Sequence, residues 1–170
     1  MVPSSQPDDF EESVGYAPGI IGEITNFHAK YYSKSWIFDH FFEAKVATEL
    51  STFVSNYNPA KDRIWSLADR GQIRASITID SSAEHGNIAH LRWFIVAEQY
   101  RGYGAGNRLM QNAINFSRDK GYAGIYLSTF RGLDPARHLY EKYGFAFVSE
   151  EAGTQWGSKV TEQRFEMRLT

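Results

Sequence analysis

The stretch Ile95-Val96-Ala97-Glu98-Gln99-Tyr100-Arg101-Gly102-Tyr103-Gly104-Ala105-Gly106-Asn107-Arg108-Leu109 decides the fold. An apolar strand runs out at Val96, three alternating glycines follow, and a helical pattern opens directly from them. Glycine takes positive φ readily and leaves no Cβ in the path of a ligand. The unpaired N–H groups of the helix start then point outward as an anion site. Arg101 stands at the mouth, where a cation suits a pyrophosphate. The loop lacks the last glycine of G-x-G-x-x-G, and the position about 20 residues on falls near Leu127, which is not acidic. No Gly-Lys-Ser/Thr follows, which excludes a Walker loop. The plainer alternative is a tight strand-to-helix turn with no ligand.

A second cluster, Leu139-Tyr140-Glu141-Lys142-Tyr143-Gly144-Phe145, ends a short helix and starts an apolar strand. With these two elements the chain resembles the GNAT superfamily of N-acetyltransferases, which pair an R-G-x-G-x-G loop with a later L-Y-x-x-x-G-F element. The R/Q-x-x-G-x-G/A pattern fits in two registers, from Gln99 and from Arg101. The resemblance runs from about Gly19 to Leu169. A closer likeness is to the acetyltransferase half of MarR-fused bacterial proteins. It is carried by Gly22-Glu23-Ile24, Phe27-His28, Tyr31-Tyr32, Asn58-Pro59-Ala60 and Ala136-Arg137-His138-Leu139-Tyr140.

The whole chain sets bounds on that reading. Its 170 residues suit one domain with a substantial core. Hydrophobic residues make up 42% and charged residues 22%, a globular balance. A net charge of −2 gives no electrostatic case for nucleic acid. No apolar run reaches membrane-spanning length. No signal-peptide pattern opens the chain, so a cytoplasmic protein is expected. The absence of cysteine excludes disulfides, thiolate metal sites and an acetyl-cysteine intermediate. No metal is expected, and any acetyl transfer must be direct or use another nucleophile.

Residues 1–18 carry Pro, Ser, Asp and Glu without periodicity and read as a flexible arm before a domain over 19–170. The arm is too short for a winged-helix domain, so a fused regulator is not expected. Ile20–Ile24 reads as a first strand, followed by a helical or looped segment dense in aromatics. From Phe38, apolar residues at Phe42, Val46, Leu50, Phe53 and Tyr57 recur at helical spacing, and Asn58-Pro59 stops them. Arg63–Ala68 and Ile73–Ile79 form a hairpin around Asp69-Arg70-Gly71, the second strand alternating cleanly. A strand over Asn87–Val96 feeds the glycine loop. The helix after the loop buries Leu109, Ala113 and Phe116 and ends near Lys120-Gly121. Ala123–Phe130 is a strand, Asp134 caps a helix with Pro135 at its first position, and Gly144 ends it. Strands over Phe145–Ser149 and Thr161–Leu169 close the chain. The order is α/β (α+β) and agrees with the GNAT fold: a mixed central sheet of about six or seven strands flanked by about four helices.

The resemblance implies acetyl-CoA as co-substrate, wedged between a splayed fourth and fifth strand. It places Arg101, Gly102, Tyr103, Gly104, Ala105, Gly106 and Asn107 at the pyrophosphate. It places the backbone of Phe94 and Val96 along the pantetheine arm, while their side chains remain free to pack as core. It makes Tyr140 the proton donor to the departing thiolate; the alternative is a buried tyrosine packing on the sheet. Many members carry an asparagine a few residues before the Leu-Tyr pair. Leu133 stands there instead, so that contact is absent or supplied by Ser128, Thr129 or Arg137.

The base has several candidates. His90 has suitable chemistry near neutral pH, although a lone histidine on a strand is more often structural. Glu23 and His28 are comparable, and some family members relay through water. For the acceptor, Glu23, His28, Tyr31 and Trp156, with Tyr32 and Trp36, suit a wall that holds a small primary amine. The same aromatics suit core or a homodimer surface. Glu150 and Glu151 can attract a cationic amine, or form a solvated turn. No nucleic acid or membrane partner is expected. A GNAT-fold module that senses acyl-CoA without turnover is the alternative function.

Overall fold

The computed structural model describes residues 9–36, 38–82 and 86–169. The elements run β1 (Glu11–Val14), α1 (Ile20–Trp36), α2 (His40–Ser55), β2 (Arg63–Asp69), β3 (Gln72–Asp80), β4 (Ile88–Val96), α3 (Ala105–Asp119), β5 (Gly124–Phe130), α4 (Asp134–Lys142), β6 (Ala146–Gly153) and β7 (Val160–Arg168). One sheet holds all seven strands in the order β1-β2-β3-β4-β5-β7-β6. Every neighbouring pair is antiparallel except β4 with β5. This is the GNAT fold. No helix among the described residues is long and apolar enough to cross a membrane.

Local chemistry explains most of these elements. Asp39 caps α2 by accepting the Phe41 N–H at 3.1 Å. The β2–β3 hairpin turns on Arg70 and Gly71, both at positive φ (53° and 76°), the conformation two-residue hairpins favour. α3 buries Leu109, Met110, Ala113, Ile114 and Phe116 against Leu67, Ile77 and Ile125 on one sheet face. On the other face α1 and α2 bury Ile20, Ile24, Leu50 and Phe53 against Ile64. Placing α3 on one side and α1 and α2 on the other leaves the middle of the sheet reachable from both.

Two expectations are corrected. Ile20–Ile24 is the first turn of α1, not a strand. Gly19, at φ 92°, turns the chain, and its carbonyl accepts the Glu23 N–H at 3.0 Å. The buried positions Ile20, Ile24 and His28 recur every fourth residue, so the tertiary face is helical. The stretch expected as a loose arm contains β1, which pairs Glu11–Val14 with Trp65–Ala68 and sinks Phe10 beside Tyr100. Glu12 also holds Arg108 at 2.5 Å and Asn112 at 2.7 Å on α3. Residues 1–8 lie outside the described residues.

Smaller differences are of register. Leu133, not Asp134, occupies the N-cap of α4, and no side chain caps it. β6 runs on to Gly153, four residues past Ser149, because its pairing with β7 continues after a bulge near Phe147 and Ser149.

Candidate active site

The site begins where β4 and β5 part. Their parallel pairing covers only Ile88–His90 against Gly124–Tyr126. Beyond it Leu91–Val96 has no partner in β5, so its backbone edge is open. A bulge sharpens the opening. Thr78 pairs with Arg92 and Ser76 with Ile95, leaving Trp93 and Phe94 opposite Ile77. Trp93 takes φ 47°, a strained value for an aromatic residue. Its carbonyl accepts the buried Ser76 hydroxyl at 3.1 Å, which pins the bulge.

A cavity of about 900 Å³ fills the wedge and continues on both sides of it. At one end lies the glycine loop. Gly104, at φ 87°, is the N-cap of α3, and neither a capping side chain nor an acidic residue occupies that first turn. A Cβ on Gly102 or Gly104 meets no protein atom within 4 Å, so the space above the loop is open. A Cβ on Gly106 meets Leu139, Phe94 and Val96 at 3.3–3.7 Å, so this glycine lets α3 approach β4 and α4 closely. The Arg101 guanidinium donates to the Tyr31 hydroxyl at 2.6 Å. An anion can therefore meet free helix N–H groups and a guanidinium together.

Midway, Tyr140 reaches the cavity from α4 with its ring 6.1 Å from that of Phe94. Burial raises its phenol above the ordinary tyrosine range, so it stays protonated. Among the described residues its hydroxyl has no hydrogen-bond partner, which leaves it available as a donor.

The far wall is polar and comes from the opposite sheet face, α2 and the β6–β7 turn. Lys45, Glu49, His90, Arg92, Tyr126, Ser128, Trp156 and Arg164 line it. Glu49 accepts Lys45 at 2.6 Å and Arg92 at 2.5 Å, and Arg92 also binds the buried Asp80 at 3.0 Å. Wall, wedge and loop form one continuous channel through the sheet.

The model of the acetyltransferase (GNAT) family matches residues 22–145. The chain belongs to that family. This GNAT-family chain is 35% identical over 63 residues to streptothricin acetyltransferase of Streptomyces lavendulae, covering 37% of this chain and 33% of that protein. It is 29% identical over 119 residues to N-acetylaspartate synthetase of Xenopus tropicalis, covering 69% of this chain and 43% of that protein. The chain thus spans less than half the length of either relative. Among solved structures, a putative streptothricin acetyltransferase of Bacillus anthracis in complex with acetyl-CoA shares the fold at TM-score 0.58. It is 22% identical, and the match covers 69% of each chain.

The GNAT channel gathers most of the residues expected from sequence. Phe94, Val96, Arg101, Gly102, Gly104, Gly106, Asn107 and Tyr140 line it, as do His28, Tyr31, Tyr32, Trp36, His90 and Trp156. Ala105 is buried at the helix start and Tyr103 is half-buried; neither side chain lines it. Of the residues suggested for the missing asparagine, Ser128 and Thr129 line the channel. Arg137 instead binds Glu141 at 2.9 Å and lies over the Phe165 ring.

Four expectations fail on geometry or electrostatics. Glu23 is exposed on α1 and does not line the channel, because the buried face of that helix runs through Ile24 and His28. Glu150 is held outside it by Arg131 and Gln163. His90 stacks on Tyr126 with ring centroids 4.2 Å apart, and burial, with nearby Arg92, lowers its pKa to about 3. A group that weakly basic is a poor match to an ammonium proton. His28 is similar: burial lowers its pKa to about 4, outweighing its hydrogen bond to the Ile24 carbonyl. That carbonyl accepts Nδ1–H, so neutral His28 carries its lone pair on Nε2.

Sequence reasoning missed Lys45, Glu49 and Arg164. Lys45 and Glu49 lie four apart on α2, the spacing of an ordinary surface pair. Arg164 occupies an alternating polar position of β7, which reads as solvent-facing.

Proposed function

We propose that this chain transfers the acetyl group of acetyl-CoA to a primary amine of a small molecule, amino acid or peptide. The observation that carries the reading is the channel itself. It joins an anion-ready glycine loop, an unpaired strand edge, a protonated phenol and a polar far wall across one parted sheet. One relative is named for acetylating streptothricin and another for making N-acetylaspartate, names that fit acetyl transfer.

Arg101 and the N–H groups from Ala105 to Asn107 hold the pyrophosphate. The free backbone groups of Phe94 and Val96 bind the pantetheine arm as an added strand. Bound acetyl-CoA supplies an activated acetyl group, whose carbon–sulfur bond is exchanged for a carbon–nitrogen bond. Tyr140 gives its hydroxyl proton to the departing sulfur and regains one from the solvent in the open channel. The attacking amine has lost its ammonium proton before attack and sheds a second as the amide forms. With His90 and His28 both weak, these protons leave through channel water.

The same weakness favours the second reading, an acyl-CoA-binding module without turnover.

Gly104→Val tests the donor site, since a branched side chain would occupy the open space above the loop. Calorimetry should show acetyl-CoA affinity falling by roughly tenfold or more, about 1.4 kcal/mol. Positive φ strains any side chain there, so thermal melting must show a folded variant. Unchanged affinity in that folded variant contradicts the donor site.

A further inference from the structure

The far wall of the channel presents three cations, Lys45, Arg92 and Arg164, which pair with Glu49, Asp80 and Glu166. His90 pairs with Tyr126, and Tyr126 with Glu166, across β4, β5 and β7. Arg92 is two residues from His90 and Arg164 two from Glu166, so alternation puts both arginines on the sheet face that His90 and Tyr126 share. Lys45 comes from α2 onto the same wall. Glu49 is the one carboxylate among the described residues lining the channel, against Lys45, Arg92 and Arg164 there, and it already binds two of them.

Arg164 differs from the other two. Its Nε donates to Glu166 at 2.8 Å, and its guanidinium carbon lies 4.2 Å from the centre of the Tyr126 ring. Those contacts fix the group in place. They leave its two terminal nitrogens without a protein acceptor among the described residues. A guanidinium held by one edge, with the other open to a cavity, matches a planar two-oxygen anion. Arg92, by contrast, has one terminal nitrogen on Asp80 and the other on Glu49. With both terminal nitrogens taken, it offers no comparable fork.

We infer that Arg164 receives a carboxylate of the acceptor, so that the amine acetylated belongs to a molecule bearing a free carboxylate, as an amino acid does. The inference rests on the acetyl-transfer reading. A polycation would find only Glu49 as a lining carboxylate among the described residues, and Glu49 already bridges Lys45 and Arg92. The cofactor's phosphates have their own site at Arg101 and the start of α3, at the other end of the channel.

The test is a thiol-release assay with acetyl-CoA over the standard free amino acids, the matching amino-acid amides, and spermidine. The inference predicts that kcat/KM for at least one free acid exceeds that for its amide tenfold or more. Arg164→Gln should raise KM for that acid tenfold or more and leave the amide's KM unchanged. Its affinities for CoA and for 3′-dephospho-CoA should stay at wild-type values. Amides or spermidine turned over as well as the acids would overturn the inference while acetyl transfer stands. So would an equal loss on acid and amide in Arg164→Gln, which marks a structural role. Loss of the CoA preference over 3′-dephospho-CoA would show that the anion is the cofactor's phosphate and overturn it too. Acetyl-CoA binding with no amine acetylated in either group would overturn both this inference and acetyl transfer.

Discussion

The Arg101 guanidinium donates a 2.6 Å hydrogen bond to the Tyr31 hydroxyl, linking the glycine loop to α1 across the channel mouth. The same guanidinium lies 5.4 Å from the centre of the Tyr31 ring. The cation is therefore positioned by a helix from the sheet face opposite α3. Both groups are partly open to solvent, so the link itself contributes only about 0.5–1.5 kcal/mol. Arg101→Ala should weaken acetyl-CoA binding roughly tenfold and flatten its salt dependence. Tyr31→Phe should change it by less than about threefold. Calorimetry at two salt concentrations measures both. Equal losses in the two variants would mean that the hydroxyl, not the cation, makes the contact.

Tyr140→Phe removes one oxygen and keeps the ring against Phe145 and Phe165. Stability and acetyl-CoA affinity should survive. The chemical step should slow by roughly 10²-fold, the scale of positioned proton transfer. Wild-type kcat in this variant, with chemistry rate-limiting, would remove Tyr140 from the mechanism.

The rate should rise with pH as the acceptor amine loses its proton. No inflection should come from His90, whose pKa of about 3 lies far below the working range. His90→Ala should preserve the shape of the kcat/KM profile. A shifted inflection near neutral pH in that variant would restore His90 as a base.

His28 makes the fold acid-sensitive. Its pKa falls from 6.5 to about 4 in the native state, chiefly because the ring is buried. The unfolded chain therefore binds a proton that the native chain refuses between those values. The stability from neutral His28 is full above pH 6.5 and is lost as pH falls toward 4, by up to about 1.4 kcal/mol per pH unit. Urea midpoints for wild type and His28→Gln should converge as pH drops from 7 to 4.5. Parallel midpoints across that range would show that His28 is not the group responsible.

The strand alternation of β3 and the helix periods of α2 and α3 were legible because each buries one clean apolar face. The glycine loop at one end of the channel was legible because Gly102, Gly104 and Gly106 leave a local mark on the sequence. The start of α1 was not. Two adjacent isoleucines resemble a strand, and polar Thr25 and His28 occupy buried positions that would have shown the helical period. β6 is exposed along nearly its whole length, so no alternation marks where it ends. The polar far wall of the channel was hidden for a different reason. Lys45, Glu49 and Arg164 sit at positions whose pattern says solvent, and only the parting of β4 from β5 turns that solvent into a site.

The most direct test of acetyl transfer mixes the protein with acetyl-labelled acetyl-CoA and a panel of free amino acids, peptides and small amines, then follows the label by mass spectrometry. The account predicts one equivalent of N-acetylated product for each equivalent of CoA released, over many turnovers. Tight binding of acetyl-CoA that is recovered intact, with no label on any amine, would contradict it and leave a sensor of acyl-CoA.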